Sequence, residues 1–212
     1  MASSSSPAGG QIAVESQSAR SLFDPILNFL VRRRILLSAI LFVGLVAKDV
    51  AYGFKPLDWV NIRNPYGVLG VCLVAAGLAL RSWAAGILHK NSRLTTVGPY
   101  SLIRNPLYAG SFLMMLGFCL LLNNLWDISL ILVPVVVLYV VKVRQEETLL
   151  AKLFPSDWPG YSQRTPRFIP RLARTDVRAD WRLSQWMRSR EYQALGATLV
   201  ALAALKLWQT YG

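Results

Sequence analysis

The chain has 212 residues, of which 54% are hydrophobic and only 16% charged, and its mean hydropathy is +0.38. These values are unusual for a soluble domain and indicate a membrane protein. Lys and Arg outnumber Asp and Glu by 23 to 11, and the hydrophobicity favours anionic lipid over nucleic acid as the partner of that charge. Two cysteines and one histidine argue against a metal site or a histidine-based triad, so Cys72 and Cys119 are interpreted as packing residues and His89 as an interfacial side chain.

The first part of the chain predicts a tail followed by two membrane spans. Residues 1–20 are polar and predict a disordered tail, and residues 21–212 predict a single membrane-embedded domain. An uncharged run at residues 35–47 predicts the first span, and residues 66–88 predict the second. Arg81 lies near the end of the second span, where it either snorkels to the headgroups or serves a polar cavity.

The second half predicts a helical hairpin and a weaker last helix. Residues 106–122 and 128–141 predict two further spans, and the short polar turn between them predicts that they lie antiparallel. Residues 171–193 form a basic amphipathic segment, and residues 194–208 are a candidate last span that is short enough to lie in the interface instead.

The distribution of positive charge predicts the orientation of these spans. Residues 20–34 carry four Lys or Arg, residues 89–104 carry three and residues 142–190 carry eleven, whereas the turn in the hairpin carries none. Positive loops stay cytoplasmic, so the amino terminus and the polar stretches on either side of the hairpin are predicted to share the cytoplasmic side. The loop at residues 48–63, with three basic residues, is the exception.

The polar stretch before the hairpin, residues 98–111, reads GPYSLIRNPLYAGS. Its Gly-Pro and Asn-Pro pairs predict irregular backbone until Pro106 begins a helix, which leaves the amides of Leu107 and Tyr108 at the positive end of the helix dipole. Together with Arg104 these amides suit a carboxylate or a phosphate. The alternative is a helix cap with interfacial tyrosines and a snorkelling arginine.

The polar stretch after the hairpin, residues 142–170, gathers acids, aromatic residues and an arginine at the predicted membrane surface. Near its start lie Glu146 and Glu147, which are followed by Phe154, Trp158, Tyr161 and Arg164. The alternative is an amphipathic surface helix with Glu and Lys paired at helical spacing.

Together the two stretches resemble the isoprenylcysteine carboxyl methyltransferase family, a group of integral-membrane methyltransferases that also includes the phospholipid N-methyltransferases. The resemblance covers about residues 66–170. Asn105 stands where the family's first motif usually has histidine, and Trp158 stands where its second motif has tyrosine. The matching positions are Gly98, Pro99, Tyr100, Arg104, Pro106, Tyr108 and Gly110 in the first motif, and Glu146, Glu147, Phe154, Tyr161 and Arg164 in the second.

The resemblance implies an all-α polytopic bundle of about five transmembrane helices with a cytoplasm-facing pocket for S-adenosylmethionine. The methyl acceptor is then a lipid-like or hydrophobic small molecule from the membrane, with an isoprenylcysteine carboxylate favoured over an amine or a thiol. The candidate cofactor-binding residues are Gly98, Tyr100, Arg104, Asn105, Pro106, Tyr108 and Glu147. The candidate catalytic residues are Arg144 and Arg164, which would orient an anionic acceptor, and Glu146 and Glu147, which would hold the cofactor or receive a proton.

Three further expectations follow. Asn105 can hydrogen-bond but cannot titrate, so it is not expected to carry a proton. Glu191 lies outside both motifs, so its replacement is expected neither to weaken cofactor binding nor to slow methyl transfer. The alternative function is that of a non-catalytic membrane protein whose basic segment docks anionic lipid or a protein partner, because each Lys or Arg near an anionic surface contributes on the order of 1 kcal/mol.

Overall fold

The computed structural model describes residue 40 and residues 43–89, 93–123, 125–170 and 176–211. All regular structure in these ranges is helical, which confirms the predicted all-α class. Residues 43–51 are helical and precede seven labelled helices. These are α1 (Pro65–Ile87), α2 (Pro99–Leu102), α3 (Pro106–Leu121), α4 (Leu125–Leu153), α5 (Trp158–Arg164), α6 (Leu183–Arg188) and α7 (Glu191–Tyr211).

Helix α1 is a candidate membrane span. Asn64 caps its amino terminus, because the Asn64 side-chain oxygen accepts a hydrogen bond from the Gly67 amide at 3.1 Å. Pro65 occupies the first turn. Its 23 residues rise about 35 Å, enough to cross the hydrocarbon core of a bilayer. Among the described residues it is the one helix that is both long and apolar enough to span a membrane, and it confirms the second predicted span within one residue at each end.

Helices α1 and α3 pack closely and antiparallel because glycines face each other along their contact. A Cβ atom on Gly77 would lie 2.5 Å from the carbonyl oxygen of Gly110, and one on Gly117 would lie 2.5 Å from that of Gly70. Neither pair leaves room for a methyl group. The absence of side chains at these four positions therefore sets the distance between the helices, as small residues do in membrane bundles.

The predicted hairpin is present, but its second helix is longer than expected. Helix α3 is apolar but shorter than α1, and α4 runs back along it, so that Tyr139 packs edge-on against Tyr108 with ring centroids 5.4 Å apart. The predicted span at residues 128–141 is only the middle part of this helix. Because polar residues do not by themselves stop a helix, α4 continues through residue 141 to Leu153 and carries the start of the second polar stretch with it.

Helix α7 completes the described bundle and exceeds the predicted 194–208 at both ends. Its Leu205 belongs to a buried apolar cluster with Val74, Leu121 and Leu122. Near its carboxyl end, the Lys206 ammonium lies 2.9 Å from the Asp58 carboxylate and lowers the pKa of that carboxyl. This cluster and ion pair lie toward the amino-terminal end of α1, so that the opposite end is left for polar side chains.

Large apolar side chains cover much of the outer surface. Val133 on α4 is 62% exposed and Val200 on α7 is 70% exposed. Extended apolar surface of this kind is rare on soluble monomers and suits contact with lipid. Cys119 is buried, as predicted for a packing residue, but Cys72 is exposed on α1. The predicted tail and most of the first predicted span, residues 35–47, lie outside the described residues.

Candidate functional site

The two polar stretches meet where α3 begins and α4 nears its end. The Tyr108 hydroxyl donates a hydrogen bond to Glu146 at 2.7 Å, and the Asn105 side-chain amide donates to Glu147 at 3.3 Å. These partners are 38 and 42 residues apart in the sequence. The antiparallel hairpin brings them together, as expected of two stretches that flank it on the same side.

Glu147 is the centre of this junction. Its side chain is buried and lies 3.6 Å from a terminal nitrogen of Arg104. The Arg167 guanidinium donates to it through Nε at 3.0 Å and Nη2 at 2.9 Å. We call Glu147 with Arg104, Asn105 and Arg167 the Glu147 cluster. Its two arginines and one carboxylate leave an excess of one positive charge, which favours an anionic group beside it.

The start of α3 differs from that of α1 although both begin with Asn-Pro. Asn64 caps α1 with its side chain, whereas Asn105 makes no side-chain cap and points its amide at Glu147. A capping hydrogen bond at this position typically stabilises a protein by about 1 kcal/mol. Asn105 therefore does not stabilise the start of α3 by capping, and its side chain forms the hydrogen bond to Glu147 instead.

Helices α2 and α5 support the cluster from the side. The Tyr161 hydroxyl donates to the Tyr100 carbonyl at 2.8 Å, and the Arg104 amide donates to the Pro166 carbonyl at 2.8 Å. Trp158 lies edge-on to Tyr161, and the Arg104 guanidinium lies 5.8 Å from the centre of the Trp158 ring, within the range of a cation–π contact. Burial raises the pKa of both Tyr100 and Tyr161 well above the ordinary phenol value, so both hydroxyls stay protonated at neutral pH.

Two buried polar atoms at this junction have no hydrogen-bond partner among the described residues. These are the Tyr100 hydroxyl and Nε of Arg104. A buried donor without a partner costs about 1–3 kcal/mol, which a bound polar ligand recovers. One hydroxyl, one guanidinium nitrogen and the excess positive charge fit a cofactor that carries a carboxylate, an amine and ribose hydroxyls, as S-adenosylmethionine does.

The other predicted site residues are spread around the junction. Pro106 is buried in the first turn of α3, and Gly98 precedes α2 with a positive φ of 64°. Arg144 is exposed on α4. Arg164 is exposed, and its Nε donates to the Gly160 carbonyl of its own helix at 2.9 Å. The structure thus does not bring Arg144 or Arg164 into the Glu147 cluster.

The cluster contains one residue that sequence reasoning missed. Arg167 follows the Thr-Pro pair at which α5 has ended, three positions after Arg164. Residues 164 and 167 both carry a cation close to the end of α5, so either could have reached Glu147. The return of the chain at Pro166, fixed by the Arg104 amide, decides the choice in favour of Arg167.

Glu191 has a structural role, while its dispensability for cofactor binding and transfer stays a prediction. Glu191 is 4% exposed and accepts two hydrogen bonds from the Arg81 guanidinium, at 2.7 and 3.1 Å. Arg81 also donates to the Ser111 hydroxyl. Arg81 therefore ties α1 to α3 and to the start of α7. Replacing a partner of so buried a pair destabilises the fold.

The apolar helices and the polar junction at their ends define the class of helical membrane proteins, and comparison with known proteins identifies the family. The family model described as phospholipid methyltransferase matches residues 65–157. The cobalt-zinc-cadmium resistance protein CzcN of Cupriavidus metallidurans is 34% identical over 159 residues, covering 73% of this chain and 71% of that protein. The nickel-cobalt-cadmium resistance protein NccN of Alcaligenes xylosoxydans xylosoxydans is 30% identical over 154 residues, covering 71% and 70%. No solved structure matches the chain significantly.

The chain belongs to the phospholipid methyltransferase family, which is membrane-embedded. This membership confirms the resemblance drawn from the two motifs. The matched residues include α1, the whole hairpin of α3 and α4, and every member of the Glu147 cluster except Arg167.

Proposed function

We propose that the protein is a membrane methyltransferase that transfers the methyl group of S-adenosylmethionine to a lipid-like or otherwise hydrophobic acceptor. The observation that carries this proposal is the junction itself, where Arg104 and Asn105 of one motif contact Glu147 of the other. Family membership supports methyl transfer, and the apolar outer surface supports an acceptor that arrives from the bilayer.

The residues of the junction divide into those that bind and those that align. S-adenosylmethionine, when bound, supplies a methyl group on a positively charged sulfur. We assign its carboxylate to Arg104 and the adjacent start of α3, because cations and helix amino termini both attract anions. The Tyr100 hydroxyl and Nε of Arg104, which lack partners among the described residues, add two polar contacts. The faces of Trp158 and Tyr108 suit the adenine or the sulfonium.

Methyl transfer to an acceptor requires alignment and, for a protonated nucleophile, a proton acceptor. Glu146 suits the second role better than Glu147. The Glu146 carboxylate is partly exposed and is held by the Tyr108 hydroxyl and by Lys142 at 3.6 Å. The Glu147 carboxylate is already engaged by Arg167, Arg104 and Asn105. We therefore assign Glu147 to organising the cofactor site and Glu146 to the acceptor side.

Isothermal titration of the detergent-solubilised chain with S-adenosylhomocysteine tests the proposal. Arg167 and Arg164 provide a variant and its matched control, because they lie three residues apart and carry the same charge. Arg167→Gln removes the cation at 2.9 Å from Glu147, whereas Arg164→Gln removes one that turns back onto its own helix. We expect saturable binding of one equivalent, weakened in R167Q and retained in R164Q. An absence of saturable binding to the unaltered chain contradicts the proposal, and equal losses in the two variants contradict the role of the cluster.

A second function is favoured by the names of the two relatives, both of which refer to resistance to metal cations. We propose that methyl transfer by this chain contributes to the tolerance of cobalt, cadmium, zinc or nickel ions in its host. Growth of a metal-sensitive bacterium that expresses the chain tests this, with Glu147→Gln as the inactive control. We expect the unaltered chain, and not E147Q, to raise the tolerated concentration; equal tolerance in both contradicts a role for methyl transfer in resistance.

A further inference from the structure

A second polar feature lies at the carboxyl end of α1. A cavity of about 310 Å³ opens there, within the size range of small-molecule sites. Its wall combines the end of α1 and residue 89, residues 93–97, and residues 178–182, which we call the segment before α6. The lining residues are Ile87, His89, Arg93, Val97, Arg178, Ala179, Asp180 and Arg182. None of them belongs to the Glu147 cluster.

The segment before α6 is fixed against α1 by specific contacts. The Trp181 indole lies against Gly86, where it leaves no room for a Cβ atom, and its Nε1 donates to the Ser82 carbonyl at 3.0 Å. The Arg182 amide donates to the Gly86 carbonyl at 2.9 Å. The backbone that carries Arg178 and Arg182 is therefore held against the end of α1.

These contacts also remove an electrostatic obstacle. The carboxyl end of a helix carries partial negative charge on its last carbonyls and ordinarily repels anions. Here the Gly86 carbonyl accepts a hydrogen bond from the Arg182 amide, and the Ile87 carbonyl accepts one from Nδ1 of His89 at 2.8 Å. The charge at the mouth of the cavity is then set by the side chains that line it.

Those side chains are strongly positive. Three arginines face one aspartate, and a terminal nitrogen of Arg93 lies 3.2 and 3.1 Å from the two ring nitrogens of His89. Near-equal distances to both nitrogens place the guanidinium over the face of the ring. One guanidinium group can donate two parallel hydrogen bonds to a phosphate. The side chains of Ile87, Val97 and Ala179 add an apolar wall.

We propose that this cavity binds a phosphate-bearing anion, independently of methyl transfer. Two sources share that chemistry: the headgroup of an anionic lipid and free inorganic phosphate. The apolar wall and the position at the end of a candidate membrane span suit the first source, because that is the depth at which headgroups lie.

Binding to the full chain in detergent distinguishes the sources. Native mass spectrometry is run with phosphatidic acid, with phosphatidylcholine as the zwitterionic comparison, and with inorganic phosphate. We expect one retained phosphatidic acid per chain and no comparable retention of phosphatidylcholine. Retention of inorganic phosphate alone assigns the site to a soluble anion. An absence of stoichiometric retention of either phosphate compound overturns the proposal.

Matched variants locate the site. Arg182→Gln removes a lining cation and should weaken phosphatidic acid binding about tenfold, as expected for a lost hydrogen bond between charged groups. Arg188→Gln makes the same charge change on α6 outside the lining and should alter binding by less than about twofold, because a distant exposed charge is screened. Equal losses in R182Q and R188Q would show that only net charge matters and overturn the site. Displacement of phosphatidic acid by S-adenosylhomocysteine would assign the cavity to the cofactor and overturn its independence.

Discussion

Replacing Glu147 with glutamine changes the charge at the centre of the cluster and little of its shape. The substitution removes the ionic partner of Arg104, whose side chain is only 13% exposed, and that of Arg167, which is 51% exposed and can turn to water. The loss thus falls mainly on Arg104, whose Nε already lacks a partner among the described residues. Because Glu147 no longer holds the Arg104 guanidinium in place for the cofactor carboxylate, one hydrogen bond between charged groups is lost in the complex, which costs about 1.5–3 kcal/mol, or roughly ten- to a hundredfold in affinity.

Isothermal titration with S-adenosylhomocysteine measures this loss, and thermal unfolding in the same detergent measures any change in stability. Asp58→Asn is the matched control, because it also removes a salt-bridged carboxylate but lies toward the other end of α1, paired with Lys206. We expect E147Q to lose affinity and D58N to keep it. Unchanged affinity in E147Q, with the variant folded, would refute the assignment of Glu147 to the cofactor site.

The remaining predictions concern the frame around the site. Gly77→Ala places a methyl group against the backbone of α3 and should destabilise the chain by about 1–3 kcal/mol. Gly196→Ala adds a methyl group in open space on α7 and should stabilise the chain slightly. A melting temperature of G77A that is not below that of G196A would contradict this packing. Glu191→Gln breaks the buried pair with Arg81 and should cost about 3–5 kcal/mol, with partial recovery when both partners are replaced by Met; no drop in melting temperature would contradict that pair. Burial raises the pKa of Tyr161, so the folded chain holds this proton more tightly than the unfolded chain, and the resulting stability is complete below pH of about 10 and is lost above it. Tyr161→Phe should therefore reduce the loss of melting temperature on raising the pH above about 10, and an unaltered alkaline profile would contradict this.

The elements that the sequence predicted well are those with strong local signals. Helix α1 follows from an uninterrupted apolar run after an Asn-Pro pair, and α3 follows from Pro106 and a second such run. The junction was predictable because a short turn between two helices forces their outer ends together. Hence the meeting of the two polar stretches could be anticipated from the sequence, whereas the pairing of Asn105 with Glu147 appears only in the structure.

The elements that the sequence missed depend on contacts between distant parts of the chain. Nothing local distinguishes Arg167 from Arg164, since the choice is made where Pro166 meets the Arg104 amide. The Arg81–Glu191 pair joins residues 110 positions apart, and nothing near either residue in the sequence identifies its partner. The end of α4 was placed too early because hydropathy reports where lipid ends and does not report where a helix ends.

The most direct test of the account is the transfer of a labelled methyl group from S-adenosylmethionine to a total membrane lipid extract. Membranes that contain the unaltered chain are compared with membranes that contain Glu147→Gln and with membranes that lack the protein. We predict that label enters the organic phase with the unaltered chain and falls toward the protein-free level with E147Q. Label at the protein-free level with the unaltered chain would contradict the proposal that this protein methylates a lipid-like acceptor.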